Sequence, residues 1–466
     1  MMNNKKIYWA IGIACIVYSS CMVGPKYSRP ALNTPSTYSE TADLDTLPII
    51  KWFDLFHDTV LLRLIKTTLE NNRDLMTATA RIQEAQYNAN IVKTNLYPSL
   101  SYDVLGGGGK AGTEAQKIAA GIDGGYIKTA GVLTWEIDLW GKLRHATRAA
   151  QAQFLAEIDN SNAIRVSLVA QVASSYFLLC DLDNRLSIAV RTVTSRKEST
   201  RINTDRFEKG YSAELDKLQA IQQETTAAAT IPAIQRQIIQ TENIIRTLMG
   251  LGPGHIERGD SLYAQVLPPS IPVGLPSQLL QRRPDIRSAE QSLKAQFELI
   301  GAAQANLYPN LSLTGLLGFA SPQLSTLLGS GGFTANGFAE LTGPIFQFNK
   351  NRMNIEAQKA RTRQVAYQYE QTVLIAMGEV DNSLAEVRTF ADEYNIRLQE
   401  VEASRKALEL SKARYDFGYT SYLEVVVQET NLFDAELEAS AAFQGRLNGI
   451  VDLYKALGGG WDVTQP

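Results

Sequence analysis

The sequence RFEKGY at residues 206–211 returns as RYDFGY at residues 414–419, an offset of 208 residues. Before the first copy, residues 142–208 contain neither proline nor glycine, the two residues that most often interrupt helices. At a rise of 1.5 Å per residue, a helix over this stretch is about 100 Å long, more than a compact globular domain can accommodate. Each Gly-Tyr turn is therefore predicted to join two very long helices.

Other landmarks recur in the same order in both halves of the chain. NLYP occurs at residues 95–98 and 306–309, WGK at 140–142 is echoed by FNK at 348–350, and LMG at 248–250 by ALG at 456–458. Self-similarity of this kind indicates a structural repeat. Two unrelated helical domains are the alternative, and they have no reason to share these landmarks. Each half is predicted to contain a helix, a β-hairpin and a pair of long helices.

The second long helix pair has an uninterrupted heptad pattern. Its apolar positions alternate at spacings of four and three residues: Val373, Met377, Val380, Leu384, Val387, Ala391, Tyr394, Leu398 and Val401. The first pair has a comparable stripe at Ile164, Leu168, Val172, Leu179, Leu182, Leu186 and Val193. This period predicts left-handed packing against neighbouring helices. A dimeric rod or a solid bundle would have the same stripe, so the helices do not decide the fold class.

The segments that follow the two NLYP motifs change from helical period to period two. The apolar positions on alternating parity are Leu100, Tyr102 and Val104; Ile127, Leu133, Trp135, Ile137 and Leu139; Leu311, Leu313, Leu317 and Phe319; and Phe333, Ala335, Ala339 and Leu341. Segments of about ten residues, apolar on one face and polar on the other, are typical of transmembrane β-strands. The sequence therefore predicts two hairpins, at 99–139 and 310–346, with surface loops at 106–126 and 320–332. The GGGGK run at 106–110 lacks the spacing of a phosphate-binding loop and is predicted to be a flexible loop.

A membrane barrel has to be closed, because hydrocarbon offers no partner to the backbone groups of an unpaired strand edge. Four strands are too few to enclose a useful pore, so several copies of the chain are expected to pool their strands. Three copies would supply twelve. Closure predicts an oligomeric barrel with a helical extension; the number three needs other information.

The N-terminus has the layout of an export signal. Lys5 and Lys6 precede an apolar stretch at residues 7–17, and small residues lead to Cys21. The stretch is shorter than the roughly 20 residues that a membrane-spanning helix needs, and no other stretch is expected to cross a membrane as a helix. A signal that ends at a cysteine is typical of bacterial lipoproteins, so Cys21 is predicted to be lipidated. The alternative is that Cys21 is a bystander thiol in a discarded signal.

These patterns divide the chain into six segments. They are a signal peptide (1–20), an N-terminal anchor and periplasmic segment (21–60), a first repeat (61–252) with its helix pair at 141–250, a linker (253–283), a second repeat (284–460) with its helix pair at 349–457, and a C-terminal tail (461–466).

Composition argues against several classes of function. The net charge is −3 and no run of Lys or Arg forms a stripe, so nucleic acid is not an expected partner. The three histidines are far apart in the chain, and no metal site or cofactor is predicted. An enzyme such as a periplasmic hydrolase would need a nucleophile with its base, a carboxylate pair or a metal cluster, and no such motif is found. A coiled-coil lipoprotein of purely structural role would have no use for the four strands.

Three stretches carry a resemblance to a known family. They are CMVGPKYSRP at 21–30, DLWGK at 138–142 and LLQRRPDIR at 279–287. Together with the NLYP pair they resemble the TolC/OprM/CusC family of outer-membrane efflux lipoproteins over essentially the whole chain. The RRPDI motif also has a structural interpretation, because Pro284 is favoured in the first turn of a helix and Asp285 favours its positive end.

The resemblance implies a homotrimer, with four strands from each chain in a twelve-stranded outer-membrane β-barrel that continues as a periplasmic α-helical barrel about 100 Å long. It implies a lipid-anchored, non-enzymatic channel that docks with a periplasmic membrane-fusion adaptor and an inner-membrane RND transporter. The predicted function is passive export of drugs or other small molecules. An outlet for type I protein secretion and a metal-ion efflux complex are the alternatives.

By motif position, the resemblance also implies a periplasmic gate just past the two Gly-Tyr turns. Asp216 and Glu424 match places where such channels have acidic gate residues, and Leu423 matches a narrowing apolar ring. Val427 departs from the pattern, since an acid is often found there. The alternative is that these carboxylates are ordinary solvated residues near helix N-termini, where the helix dipole favours them.

Overall fold

The computed structural model describes residues 22–32, 52–109, 124–266, 276–329 and 331–460. Two short helices come first, α1 (Trp52–Leu55) and α2 (Thr59–Asn71). The first repeat continues with α3 (Arg73–Thr94), β1 (Ser99–Gly109), β2 (Gly124–Ile137), α4 (Lys142–Glu208) and α5 (Glu214–Leu248). After α6 (Pro276–Arg282), the second repeat has α7 (Pro284–Ala305), β3 (Asn310–Ser321), β4 (Phe333–Thr342), α8 (Lys350–Asp416) and α9 (Tyr422–Ala456).

Helix lengths are equal in the two repeats. The first helices, α3 and α7, each have 22 residues, the long helices α4 and α8 each have 67, and α5 and α9 each have 35. The chain is thus mainly helical with one small sheet, and this coarse part of the fold prediction is confirmed. The helix α6 lies within the segment that the sequence suggested to be a linker.

The chain forms two compact units, and both α4 and α8 run through each of them. The first unit comprises the described parts of Met1–Ala31, Arg81–Glu157 and Ala289–Tyr369 and contains the sheet. The second comprises the described parts of Leu32–Ala80, Ile158–Ser288 and Glu370–Pro466 and contains the turns between the long helices.

The four strands form one antiparallel sheet in chain order. Within the described ranges, β1 pairs only with β2 and β4 only with β3, so the outer edge of each has no partner strand. Large apolar side chains near these edges are exposed: Leu100 is 77% accessible, Tyr102 88% and Leu341 65%. The sheet in one chain is therefore open and apolar at both ends.

The prediction of a flexible loop at the GGGGK run is wrong for most of its length. The four glycines 106–109 belong to β1, and they pair with Ile127 to Gly124 of β2. Glycine is unfavourable in strands because it has no side chain to pack. Here the hydrogen-bonded ladder continues through the glycines, and a Cβ at Gly106 would meet no other atom within 4 Å.

Among the described residues, one helix is long and apolar enough to span a membrane, contrary to the expectation from the sequence. An 18-residue window of α4 reaches a mean hydropathy of 1.5, and 56% of this window is buried inside the protein. Buried residues of α4 such as Val172, Tyr176, Phe177 and Leu179 pack in the main hydrophobic core of the second unit. Burial in that core accounts for the apolar composition of the window.

The second unit has a buried carboxylate at the centre of a polar network. Asp58 is 3% exposed, and one of its oxygens caps α2 by accepting hydrogen bonds from the N–H groups of Val60 and Leu61. Its other oxygen accepts from the Tyr176 hydroxyl at 2.7 Å, the Gln265 amide at 2.8 Å and the backbone N–H of Asp260 at 3.0 Å. This one side chain therefore joins α2, α4 and the segment between the repeats.

Hydrogen bonding determines the charge state of this carboxylate. Burial acts to raise the pKa of Asp58, but the hydrogen bonds from Gln265, Tyr176 and the backbone outweigh it, so the pKa lies below its ordinary value. The ionised form therefore contributes stability at pH values above the ordinary aspartate pKa. That contribution is lost as the pH falls through the lowered pKa of the folded protein.

A second buried charge explains the RRPDI motif. Pro284 is the first residue of α7, as the motif predicted. Arg283 is 5% exposed, donates a hydrogen bond to the Ala456 carbonyl at the end of α9, and forms ion pairs with Asp285 and Glu379 at 2.6 and 2.7 Å. Arg283 thus ties the start of the second repeat to its last helix, a role that the motif itself did not reveal.

Replacing Asp58 by Asn should destabilise the second unit by about 2–4 kcal/mol, since an amide group cannot accept from all five donors and leaves some of them buried without partners. Thermal unfolding followed by circular dichroism measures the loss at pH 7. The loss should shrink as the pH falls below the ordinary aspartate pKa and through the lowered pKa of Asp58 in the folded protein. Asp54→Asn, at an exposed position of α1, is the control and should unfold like wild type.

Candidate functional site

The residues predicted to form a gate lie next to two turns of the same geometry. Gly210 follows α4 and Gly418 follows α8, and both have a φ of 77°. Residues other than glycine adopt this left-handed conformation at a cost. In each turn the glycine and the next tyrosine donate their N–H groups to carbonyls of the last helical turn. This glycine-based termination stops each long helix and allows the chain to reverse.

The acidic residues stand in the first turns of the helices that follow. Asp216 is partly buried at the start of α5, and Glu424 occupies the corresponding position of α9. The Glu424 carboxylate accepts a hydrogen bond from the Thr420 hydroxyl and lies 3.9 Å from the Arg414 guanidinium. Neither helix has a side-chain cap at its N-terminus, and the helix dipole favours the negative charges in the first turns, Glu214 and Asp216 in α5 and Glu424 in α9.

Apolar side chains are exposed beside both carboxylates. Leu423 is 53% exposed and Val427, one turn later, is 45% exposed. Leu215 is the counterpart of Leu423 in the first repeat and is 62% exposed. The sequence prediction did not include Leu215, although the 208-residue offset leads directly to it. Each turn therefore presents a leucine followed by an acid.

Polar contacts connect the two turns within one chain. Arg206 at the end of α4 forms an ion pair of 2.9 Å with Asp416 at the end of α8, and its guanidinium lies 4.9 Å from the centre of the Tyr415 ring. The Tyr415 hydroxyl donates to the side-chain oxygen of the buried Asn203 at 2.8 Å. Burial raises the pKa of Tyr415, the charge of Asp216 adds to this effect, and the hydrogen bond with Arg206 opposes it.

A small apolar cluster supports the turns from the helix side. Tyr422, Val425 and Val426 of α9 pack with Ala220 of α5, and all four are buried. Burial raises the pKa of the Tyr422 hydroxyl above its ordinary value. The cluster holds the first turns of α5 and α9 together and thereby fixes the positions of their leucines and carboxylates.

The predicted lipidation site, Cys21, lies outside the described residues, but the segment that follows it is described. The Val23 N–H donates to the Trp140 carbonyl at 3.1 Å, and a ring nitrogen of His145 lies 3.1 Å from the Val23 carbonyl oxygen. Further along, Arg29 forms two hydrogen bonds with Glu290, at 3.0 and 2.6 Å. The chain after Cys21 is thus held against the start of α4 and against α7.

A family model for outer membrane efflux proteins matches residues 64–251 and 275–459. The chain belongs to this family. The first matched segment covers nearly all of the first repeat and the second nearly all of the second, and together they cover most of the sequence. The predicted resemblance is therefore confirmed, as is the prediction of an efflux channel protein of the Gram-negative outer membrane that extends into the periplasm.

Individual relatives agree along the whole chain. The probable efflux pump outer membrane protein TtgC of Pseudomonas putida is 31% identical over 463 residues, which cover 97% of this chain and 95% of TtgC. The cation efflux system protein CusC of Escherichia coli is 29% identical over 459 residues, 96% of this chain and 97% of CusC. The crystal structure of the open state of the Neisseria gonorrhoeae MtrE outer membrane channel has a TM-score of 0.86 and 29% identity, covering 94% of this chain and 98% of MtrE.

Proposed function

We propose that three copies of the chain close a twelve-stranded barrel in the outer membrane, and that this trimer is the exit duct of a tripartite efflux pump of the RND type. A periplasmic membrane-fusion adaptor and an inner-membrane RND transporter are the proposed partners. The cargo is a drug or another small molecule, and it passes without chemical change, so no residue acts as a catalyst and no cofactor is required.

The open sheet carries this proposal. Its two outer strands have unpaired edges within the described part of the chain, and an unpaired edge is not tolerated in hydrocarbon. A single chain cannot remove both edges, because four strands are too few to curl into a barrel with a pore. Copies that join β4 of one chain to β1 of the next remove every edge at once. Three copies give twelve strands, within the range of known outer-membrane barrels.

Exposed apolar side chains on the long helices support the same arrangement. In α8, Tyr367, Leu374, Ile375 and Ile396 are each more than half exposed, and in α5 so are Ile239 and Ile244. Side chains of this kind, spread along helices with a heptad pattern, are expected to pack against helices of an adjacent copy. A helical tube made by three chains would bury them.

We also propose that the narrowest part of the duct lies at the turns between the long helices. Three-fold symmetry would bring three copies of Leu423 into one apolar ring and would gather the carboxylates of Asp216 and Glu424 around the same axis. An apolar ring closes a pore by excluding water, and converging carboxylates favour cations. Because Val427 stands where relatives often have an acid, closure depends more on Leu423 and less on charge.

Mass and conductance test the proposed assembly. In mild detergent, light scattering should give three times the mass of one chain, and the same preparation should form channels in planar bilayers. A stable, folded monomer in detergent would contradict the proposal.

The gate is tested by single-channel recording. The Leu423→Ala variant should raise the resting conductance about twofold or more, because a smaller apolar ring no longer excludes water. The double variant Asp216→Ala/Glu424→Ala should also raise it and should weaken the preference for cations. Gln237→Ala, at an exposed polar position of α5 away from the turns, is the control. If the tip variants conduct like this control, the constriction lies elsewhere.

Lipidation is tested by mass spectrometry of the mature N-terminus. We expect cleavage after Ser20 and acyl chains on Cys21. Since a barrel already holds the trimer in the membrane, Cys21→Ala should reduce efflux only in part. An unmodified Cys21, or a mature N-terminus at another residue, would show that the export signal was misinterpreted.

A further inference from the structure

Because the chain contains an internal repeat, the residue pairs of one β-hairpin can be compared with those of the other. Between β1 and β3 the offset is 211 residues, as from Asn95 to Asn306, and between β2 and β4 it is 208, as from Trp140 to Phe348. In the first hairpin Ser99 pairs with Thr134, and residues 310 and 342, their counterparts by these offsets, pair in the second. The two hairpins thus have the same register.

The pairing of β2 with β3 is a different kind of junction, because it joins the end of one repeat to the start of the next. There Thr134 lies opposite Thr314, and Leu133 lies opposite Gly315. In a ring of copies, the next junction of this kind has β4 in place of β2 and β1 of the adjacent copy in place of β3. Its register follows from the same two offsets.

We infer that β4 pairs antiparallel with β1 of an adjacent copy of this chain, with Leu341 opposite Val104 and Thr342 opposite Asp103. The inference rests on the trimer proposed above, and it specifies how the copies join. Position 341 is the counterpart of Leu133, and position 104 is the counterpart of Gly315.

The chemistry of the two edges is compatible with this register. Leu341 and Val104 are both 65% exposed in the single chain, and the pairing places one apolar side chain opposite the other on the same face. The polar residues Thr342 and Asp103 then meet on the opposite face. A slip of one residue would turn every side chain of one strand to the wrong face. A slip of two residues leaves every side chain on its original face, so the faces alone do not exclude it. The two offsets of the repeat specify one of these registers.

An aromatic contact at the base of the sheet extends the same correspondence. Trp140 stacks on Tyr308 with ring centres 4.6 Å apart, and its indole N–H donates to the Pro309 carbonyl at 2.8 Å. The counterparts of this ring pair are Phe348 and Tyr97, which are 86% and 61% exposed. In the inferred junction, Phe348 stacks on Tyr97 of the adjacent copy.

The backbone between β4 and α8 is compatible with a contact between Phe348 and an adjacent copy. Phe348 and Asn349 have φ values of 45° and 63°, a left-handed conformation that residues other than glycine rarely adopt. In the first repeat the position equivalent to Asn349 is Gly141, with a φ of 80°. Strain of this kind persists where surrounding contacts hold it. The phenylalanine side chain has no N–H group, so the junction between copies lacks the indole hydrogen bond of the internal one.

Disulfide crosslinking tests the register. In a Cys180→Ala background, the pair Leu341→Cys/Val104→Cys should convert most of the protein to covalently linked copies under mild oxidation, as seen on a non-reducing denaturing gel. Leu341→Cys combined with Tyr102→Cys or with Gly106→Cys tests slips of two residues in either direction. These control pairs should link at least about tenfold less, because a disulfide needs closely spaced Cβ atoms.

The outcomes separate this inference from the proposed trimer. If light scattering shows a trimer and a control pair links best, or no pair links at all, the register is wrong and the trimer remains. If the protein is a monomer in detergent, the trimer itself is refuted. A second readout is heat dissociation of the trimer: Phe348→Ala and Tyr97→Ala should lower the midpoint, and the double variant should lower it no further than the larger single effect. Tyr87→Ala, exposed on α3, is the control.

Discussion

Backbone groups on the outer edges of β1 and β4 impose the constraint on which the rest of the structure depends. In hydrocarbon every N–H and C=O group needs a partner within the protein, and one chain of this kind leaves two edges without any in its described part. The apolar side chains along β1 and β4 make these edges unsuited to water. In the proposed trimer, association is therefore part of folding, because the sheet is complete only when copies join.

The same requirement explains why an internal repeat suits this fold. The two hairpins have the same register, and each is followed by helices of the same length. In a ring of copies, the junction between two chains can therefore have the same geometry as the junction between the two repeats of one chain. The internal joint is visible in one chain, from the β2–β3 ladder to the stack of Trp140 on Tyr308. Within the second unit, Asp58 and Arg283 connect segments that are distant in sequence and so hold the helices of each repeat in place.

Sequence periodicity was sufficient for the long helices and the strands, because both depend on side chains that are neighbours in the chain. The family was recognised from short motifs such as RRPDI. Periodicity was insufficient where the structure of a segment depends on a partner strand. Glycines 106–109 have the composition of a loop, yet their hydrogen bonds with β2 make them part of a strand. Asp58 and Arg283 could not be recognised, since their partners lie as far as 207 and 173 residues away. Cys21 stays a prediction, and Asp216, Leu423 and Glu424 have a location but an untested role.

The equal helix lengths also restrict how this chain can evolve. Each added residue turns the following part of a helix by about 100° and lengthens it by about 1.5 Å. A single insertion in α4 would rotate Asp216 and Leu215 away from the direction set by α8 for Glu424 and Leu423. Compensation would require a matching insertion in the other repeat, roughly 200 codons away in the same gene. Exposed positions along the two 67-residue helices can accumulate substitutions, whereas changes in the length of these helices have to occur in pairs.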